Sequence, residues 1–188
     1  LTGLGWSSDD AESLIGRKTV IVGDVGAGKT KLLTEILTHF REKGLTTQIT
    51  VVDLAPPKMG RVGGPLTEYV SAEGLRYLRP TRIYAPRLQA CNSDDVLRYV
   101  SHNVTPSRVL LEQFTSAPTR ILMINDLTIF LHGSTLEELL NVLEKAETFV
   151  GTAYYGMTLD EDYGTGISAK ERRLVEEMLR LMDRTIRL

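Results

Sequence analysis

Gly23-Asp24-Val25-Gly26-Ala27-Gly28-Lys29-Thr30 is the stretch on which the fold turns. Its spacing is Gly, four residues, then Gly-Lys-Thr, the pattern of a loop that wraps its main chain around phosphate. The flanks agree. Thr19-Val20-Ile21-Val22 is a short apolar, β-branched run that predicts a buried strand. After the loop, Leu32, Leu33, Ile36, Leu37 and Phe40 recur at helical spacing up to Gly44, a natural C′ residue. Strand, glycine-rich loop and helix in that order are the setting in which this pattern carries its mechanism. Gly23, Gly26 and Gly28 let main-chain N–H groups close on phosphate oxygens, and the helix N-terminus adds partial positive charge. Lys29 then reaches the β- and γ-phosphates, and the Thr30 hydroxyl ligates Mg²⁺. All eight residues are expected to bind a nucleoside triphosphate.

A second segment supports the first. Ile121-Leu122-Met123-Ile124 predicts a buried strand with Asn125 and Asp126 at its end. With these two segments the chain resembles the P-loop NTPase superfamily. The loop motif covers eight residues, and the compatible α/β pattern covers most of the chain. The resemblance implies ATP and Mg²⁺, with Asp126 in the Walker B position as the metal-side carboxylate beside Thr30. Leu127 stands where many ATP-hydrolysing members carry a catalytic Glu, and Asp24 stands where partitioning-type ATPases carry a signature Lys.

At 188 residues the chain is expected to form a single domain that buries roughly 70% of its unfolded surface. Its 42% hydrophobic and 24% charged content is ordinary for a globular protein. A net charge of −2 and a pI near 6.0 exclude a global basic field for nucleic acid but leave room for a local patch. The single Cys91 excludes an intrachain disulfide and suits a reducing compartment. No apolar run reaches about 18 residues and the first residues lack signal-peptide features, so a cytoplasmic protein without a membrane segment is expected.

Residues 1–16 read as a lead-in with a short helix capped by Ser8 or Asp9, and Trp6 either packs on the domain or stacks on a base. Residues 46–52 read as a second strand ending at Asp53, which either caps a loop or serves the nucleotide. Residues 54–66 hold three prolines and three glycines and form no regular element. With Lys58 and Arg61 they are either a mobile flap over the phosphates or a passive connection. Arg82-Ile83-Tyr84-Ala85 predicts a third strand. Arg76, Arg79, Arg82 and Arg87 around it suit either phosphate contact or surface pairing. Asn92 or Ser93 starts one helix, and Thr105-Pro106 opens another. Ser134 with Glu137, and Ser168 with Glu171, have capping-box spacing. Residues 148–155 predict a fifth strand, whose Thr152 or Tyr154 either senses the γ-phosphate or packs. Leu174, Met178, Leu181 and Met182 form the core-directed face of a last helix, opposite Arg172-Glu176-Arg180, Arg173-Glu177 and Asp183-Arg187 pairs.

Five strands separated by helices predict an α/β, three-layer αβα sandwich around a mostly parallel five-stranded sheet. Gly23, Asp53 and Asp126 should meet at its carboxyl edge, where such sheets bind ligands. Lys29, Asp126 and Asp53 are the candidate catalytic residues, with Glu68 and His132 as other groups able to orient a nucleophile. His132 also reads as a solvated loop histidine. ATP hydrolysis coupled to a conformational change or a protein partner is the leading reading. The alternatives are phosphoryl transfer to a small acceptor, a GTP-dependent switch, or a non-catalytic nucleotide-binding module. The Asn/Thr-Lys-x-Asp guanine signature that would favour the switch is missing.

Overall fold

Hydrophobic periodicity resolves into six strands and seven helices over residues 7–60 and 62–188, the part of the chain the computed structural model describes; Trp6 and Arg61 lie outside it. The strands are β1 (Lys18–Gly23), β2 (Ile49–Asp53), β3 (Arg76–Leu78), β4 (Ile121–Asn125), β5 (Thr148–Tyr154) and β6 (Arg184–Arg187). They form one sheet in the order β3-β2-β4-β5-β1-β6, and every pairing is parallel.

Alternation along the strands divides the core into two layers. Ile21, Val51, Met123 and Val150 face α1 (Ser8–Glu12) and α2 (Lys29–Glu42). Val20, Val52, Ile124 and Phe149 face the other side, against α4 (Ser93–Ser116), α5 (Thr128–Leu131), α6 (Leu136–Leu143) and α7 (Ile167–Leu179). The short α3 (Pro86–Gln89) sits before α4. The chain therefore has the expected three-layer α/β architecture. β1, β2, β4 and β5 are buried almost throughout, as parallel strands covered on both faces must be.

The sheet has six strands rather than five because α7 ends at Leu179 and the chain returns as β6 beside β1. The Asp183 carboxylate accepts the Lys18 N–H at 2.7 Å, which fixes the register, so Asp183 and Arg187 are not a helical pair. Leu181 consequently lies in the connection and is 57% exposed instead of core-directed. The expected pairs Arg172–Glu176 and Arg173–Glu177 do form, at 3.7 and 3.5 Å.

Residues 82–85 are not the third strand. That strand is β3, which pairs Thr50 with Arg76, while residues 46–48 are a 3₁₀ turn ahead of β2. Ile83 and Ala85 are buried with strand-like alternation. The backbone between them, however, pairs with a side chain: the fully buried Asn103 accepts the Tyr84 N–H at 2.9 Å and donates to its carbonyl at 2.8 Å. Pro106 lies inside one continuous helix, α4, rather than opening a second one. The buried row Val96, Val100, Val104, Leu111 and Phe114 runs across the proline, and this packing outweighs its lost hydrogen bond.

Several caps also shift. Ser7 caps α1 in a box with Asp10. Thr135 caps α6, and the buried Ser134 hydroxyl donates to the Phe130 carbonyl instead. α7 starts after Gly166 in the left-handed conformation, which frees Glu171 for another role. Gly44 does follow α2 with φ +75°.

Candidate functional site

β1 delivers the glycine-rich loop to the carboxyl edge of the sheet. Gly23 closes against the end of the chain: a Cβ there would meet the Leu188 carbonyl oxygen at 2.8 Å. Asp24 anchors the loop laterally. Its carboxylate accepts N–H groups of Val25 at 2.6 Å and Met157 at 3.1 Å, and Gly156 packs so closely that a Cβ would fall 2.3 Å from its Cγ. Burial pushes this carboxyl up, but the donors from Val25, Met157 and Thr158 outweigh it and leave its pKa lowered.

Gly28, at φ +94°, turns the chain into α2, and no side chain caps that helix. Its first N–H groups therefore have neither intrahelical acceptors nor a side-chain cap. They open on a cavity of about 180 Å³, whose walls include Gly26, Gly28, Lys29 and Thr30. The Lys29 ammonium folds back on the Gly23 and Asp24 carbonyls at 2.9 and 2.7 Å. Burial lowers its pKa, partly opposed by the carboxylates of Asp126, Asp24 and Glu171. Cation and helix end together leave this part of the cavity short of negative charge.

β4 brings the second group of residues. At its end Asn125, not Asp126, meets Thr30: the Thr30 hydroxyl donates to Asn125 Oδ1 at 3.3 Å. The same oxygen accepts from Thr152 at 3.0 Å, while Asn125 Nδ2 donates to Asp53 Oδ1 at 3.0 Å. Asp126 turns through φ +58°, with its N–H on Thr152 Oγ1 at 2.8 Å, and its carboxylate accepts from Thr128 at 3.0 Å. It lines the cavity alongside Lys29. Burial raises its pKa, and Lys29 and Thr128 offset this only in part.

Asp53 arrives at the same edge but is completely buried. It accepts from the N–H groups of Leu66 at 2.7 Å and Ala55 at 3.2 Å, from the Tyr77 hydroxyl and from Asn125. The Arg79 guanidinium lies 3.4 Å away as an ion pair without hydrogen-bond geometry. Asp53 thus ties both ends of the 54–66 segment to the sheet. Ala55, Pro56, Val62 and Gly63 of that segment wall the cavity, whereas Lys58 pairs with Glu68 at 3.4 Å. Neither Lys58, Glu68 nor Asp53 is among the lining residues.

The far wall is a charged cluster that the sequence does not bring together. The Glu171 carboxylate bridges Arg87, at 2.8 and 3.0 Å, and His132 Nε2, at 2.6 Å. All three side chains are at most 6% exposed, so His132 is no solvated loop residue. Burial would raise the Glu171 pKa, but His132 and Arg87 bring it below the usual carboxylate range. Arg87 also lies over the Tyr154 ring at 5.1 Å, and Lys29 lies 5.9 Å from the same ring. The Tyr154 hydroxyl accepts the Leu159 N–H at 2.8 Å. Of the four arginines near residues 76–87, Arg87 alone lines this cavity. Arg76 instead caps the carbonyls at the end of α4. Asn125 ends the apolar run with no signal of its own beyond its place beside Asp126, and the i,i+3 spacing of Ser168 and Glu171 points to a cap rather than to this cluster.

Among the described residues no helix is long and apolar enough to cross a membrane, and no group of three or more His, Cys, Asp or Glu side chains is placed to hold a metal by itself. No family model and no curated protein matches the chain. Among solved structures, it is similar to the Pif1 helicase from Candida albicans at 14% identity and a TM-score of 0.40. That likeness covers all of this chain but 40% of the helicase chain. It is also similar to a chain from a structure of Drosophila ORC bound to DNA, at 11% identity and a TM-score of 0.29, covering 88% of this chain and 87% of that one.

Proposed function

We propose that this chain is a P-loop nucleoside triphosphatase that binds ATP with Mg²⁺ at residues 23–30 and hydrolyses it. The observation that carries the reading is a convergence on one cavity. An uncapped helix N-terminus, the Lys29 ammonium resting on two carbonyls and the Asp126 carboxyl all face it. Phosphate oxygens suit Lys29 and the N–H groups of the loop better than backbone carbonyls do, because they are charged acceptors.

The residues present also fit Mg²⁺. The ion keeps several waters and takes few protein oxygens. The Thr30 hydroxyl and Asn125 Oδ1, 3.3 Å apart, would supply two of them. Bound there, Mg²⁺ would neutralise charge on the β- and γ-phosphates. In this reading the metal side keeps Thr30 and takes Asn125 in place of Asp126, and Asp126 serves as the base. A water attacks the γ-phosphorus, the bond to the β-phosphate oxygen breaks, and the water proton moves to the Asp126 carboxylate. A carboxyl with a raised pKa accepts that proton more readily than an ordinary one. Lys29 stays on the leaving phosphate side. Asp53 acts as a positioning residue, holding Asn125 and the 54–66 segment.

The test is release of inorganic phosphate from ATP and GTP by the parent, Lys29→Ala and Asp126→Asn, with calorimetric ATP titrations alongside. Lys29→Ala should weaken ATP binding far more than nucleoside binding, and Asp126→Asn should bind ATP but turn over slowly. Equal ATP affinity in Lys29→Ala and the parent would overturn the assignment. The apolar side of the cavity, formed by Ala85, Pro86, Leu88, Ile129 and Leu159, has room for a small acceptor. Phosphate transfer to an added hydroxyl compound without free phosphate would therefore make the protein a kinase.

A further inference from the structure

A groove outside the nucleotide cavity runs between residues 81–82 and one face of α4, lined by Thr81, Arg82, Arg98, Ser101, His102 and Thr105. Beside its arginines lies a pair of stacked rings with a cation over each. Tyr84 and Tyr99 stack at 4.4 Å with 20° between their planes. Arg82 lies over Tyr84 at 4.9 Å, Arg98 lies over Tyr99 at 5.3 Å, and His102 meets Tyr84 edge-on at 4.9 Å. Arg82, Arg98, Ser101, His102 and Thr105 are all exposed. The acidic neighbour in hydrogen-bond contact with this set is Asp95, paired with Arg98 at 2.6 Å. A core role does not explain exposed guanidiniums arranged around half-buried tyrosines.

We propose that this groove binds a single-stranded nucleic acid segment. Single strands are held by basic grooves that track the phosphates and by aromatic rings that stack the bases, without sequence preference. Here the ring faces are covered by exposed arginines, and such contacts are weaker than base stacking. Incoming bases therefore displace Arg82 and Arg98 from the tyrosines, and the freed guanidiniums take phosphate oxygens in their bidentate geometry. The hydroxyls of Thr81 and Ser101 add donors along the strand. The net charge of −2 means that attraction must come from this local patch rather than from the whole molecule. A phosphopeptide would use the arginines but would not engage the ring faces beneath them.

The groove is also wired to the nucleotide cavity. Asn103 clamps the Tyr84 backbone from α4, and three residues later Arg87 enters the cavity wall. The binding itself needs no nucleotide, so its test is independent of the triphosphatase reading. Fluorescence anisotropy of a labelled twelve-residue oligothymidylate is measured with the whole chain in the absence of ATP. Saturable binding is expected, weakening about sevenfold from 50 to 200 mM salt if two phosphates are neutralised. Arg82→Ala/Arg98→Ala should weaken it by about tenfold or more with an unchanged melting temperature, since both side chains are exposed. Tyr99→Leu should weaken it while keeping an apolar side chain beside Ala90 and Val96. An abasic twelve-residue strand should bind poorly. The proposal is overturned by an absence of saturable binding, by equal affinity in the arginine variant, by equal binding of the abasic strand, or by tighter binding of a doubly phosphorylated peptide.

Discussion

Glu171→Gln keeps the size of the side chain and removes the charge at the centre of the buried cluster. In the parent the carboxylate pairs with Arg87 at 2.8 Å, accepts from it at 3.0 Å and meets His132 at 2.6 Å, with 3% of the side chain exposed. Gln can accept from one of these donors, but its amide N–H₂ then faces another donor. Removing one partner of a buried ion pair costs about 3–5 kcal/mol. Arg87 borders the cavity, where water can partly solvate it, so the lower end applies, about 3 kcal/mol. In a chain of this length each kcal/mol moves Tm by about 2–4 °C, and calorimetry at pH 7 should record a fall of about 6–12 °C. The pH dependence supplies a second test. The Glu171 pKa is lowered in the folded state, so its contribution is full above the ordinary carboxylate pKa and is lost as pH falls through the folded value. The gap between parent and variant should therefore shrink in acid. Arg87→Met/Glu171→Leu, which leaves neither of these two charges, should lose less than the two single variants together. A gap under about 2 °C at pH 7, or one that widens in acid, would show that Glu171 does not hold the cluster together by its charge.

Asp126→Asn should be at least as stable as the parent near pH 7 while turnover falls by about a hundredfold or more. The sign follows from the raised pKa: the parent's carboxyl is neutral below its unfolded pKa, and stability is lost as pH rises through the folded value. The variant's advantage in Tm should thus grow from pH 4 upwards, and a disadvantage at pH 7 would contradict the burial cost assigned to Asp126. Asp53→Asn should cost about 3 kcal/mol, because the fully buried carboxylate compensates Arg79 and accepts four hydrogen bonds. An unchanged Tm with lost turnover would instead make Asp53 catalytic. Residues 54–66 should be cut by trypsin after Lys58 and protected by Mg²⁺ with a non-hydrolysable ATP analogue. Lys58→Ala should barely move Tm, since its pair with Glu68 is largely exposed, and undiminished cleavage at saturating nucleotide would leave the segment a passive connection.

The parts of this fold that were legible in the sequence are those dictated by local chemistry. β1, the glycine loop and α2 follow from one apolar run, three glycines and a 3.6-residue repeat, β4 follows from four consecutive apolar residues, and β5 from a stretch rich in β-formers. What failed was decided by partners distant in sequence. Residues 82–85 have strand-like alternation, yet Asn103 takes the place of a neighbouring strand. β6 reads as helix from its charge spacing, and only the β1 edge with the Lys18–Asp183 contact makes it a strand. Pro106 looks like a boundary because the row of apolar residues crossing it is a tertiary fact. At the site, Lys29 and Thr30 are read from the motif. Arg87, His132 and Glu171 lie up to 84 residues apart and carry no shared spacing.

The same distinction explains why β4 ends in Asn125 before Asp126. Asn125 lies between two groups with opposite needs. Toward β2 it faces the Asp53 carboxylate, to which it donates at 3.0 Å, and toward the glycine loop it accepts from Thr30 at 3.3 Å. A carboxylate at position 125 would satisfy Thr30 but stand against Asp53, where two buried acids this close cannot both ionise. An amide serves both sides without charge, and its orientation is set by that pairing. Negative charge is then carried one residue further on by Asp126, which the left-handed turn at φ +58° and the Thr152 hydroxyl direct into the cavity with Lys29. Asp53, which does not line the cavity, accepts the Leu66 N–H at 2.7 Å. One line of hydrogen bonds thus joins Thr30, Asn125, Asp53 and Leu66, running from the head of α2 to the end of the segment that walls the cavity. In the proposed complex, an ion or phosphate that draws Thr30 away from Asn125 would act on the end of that line and so reach residues 54–66.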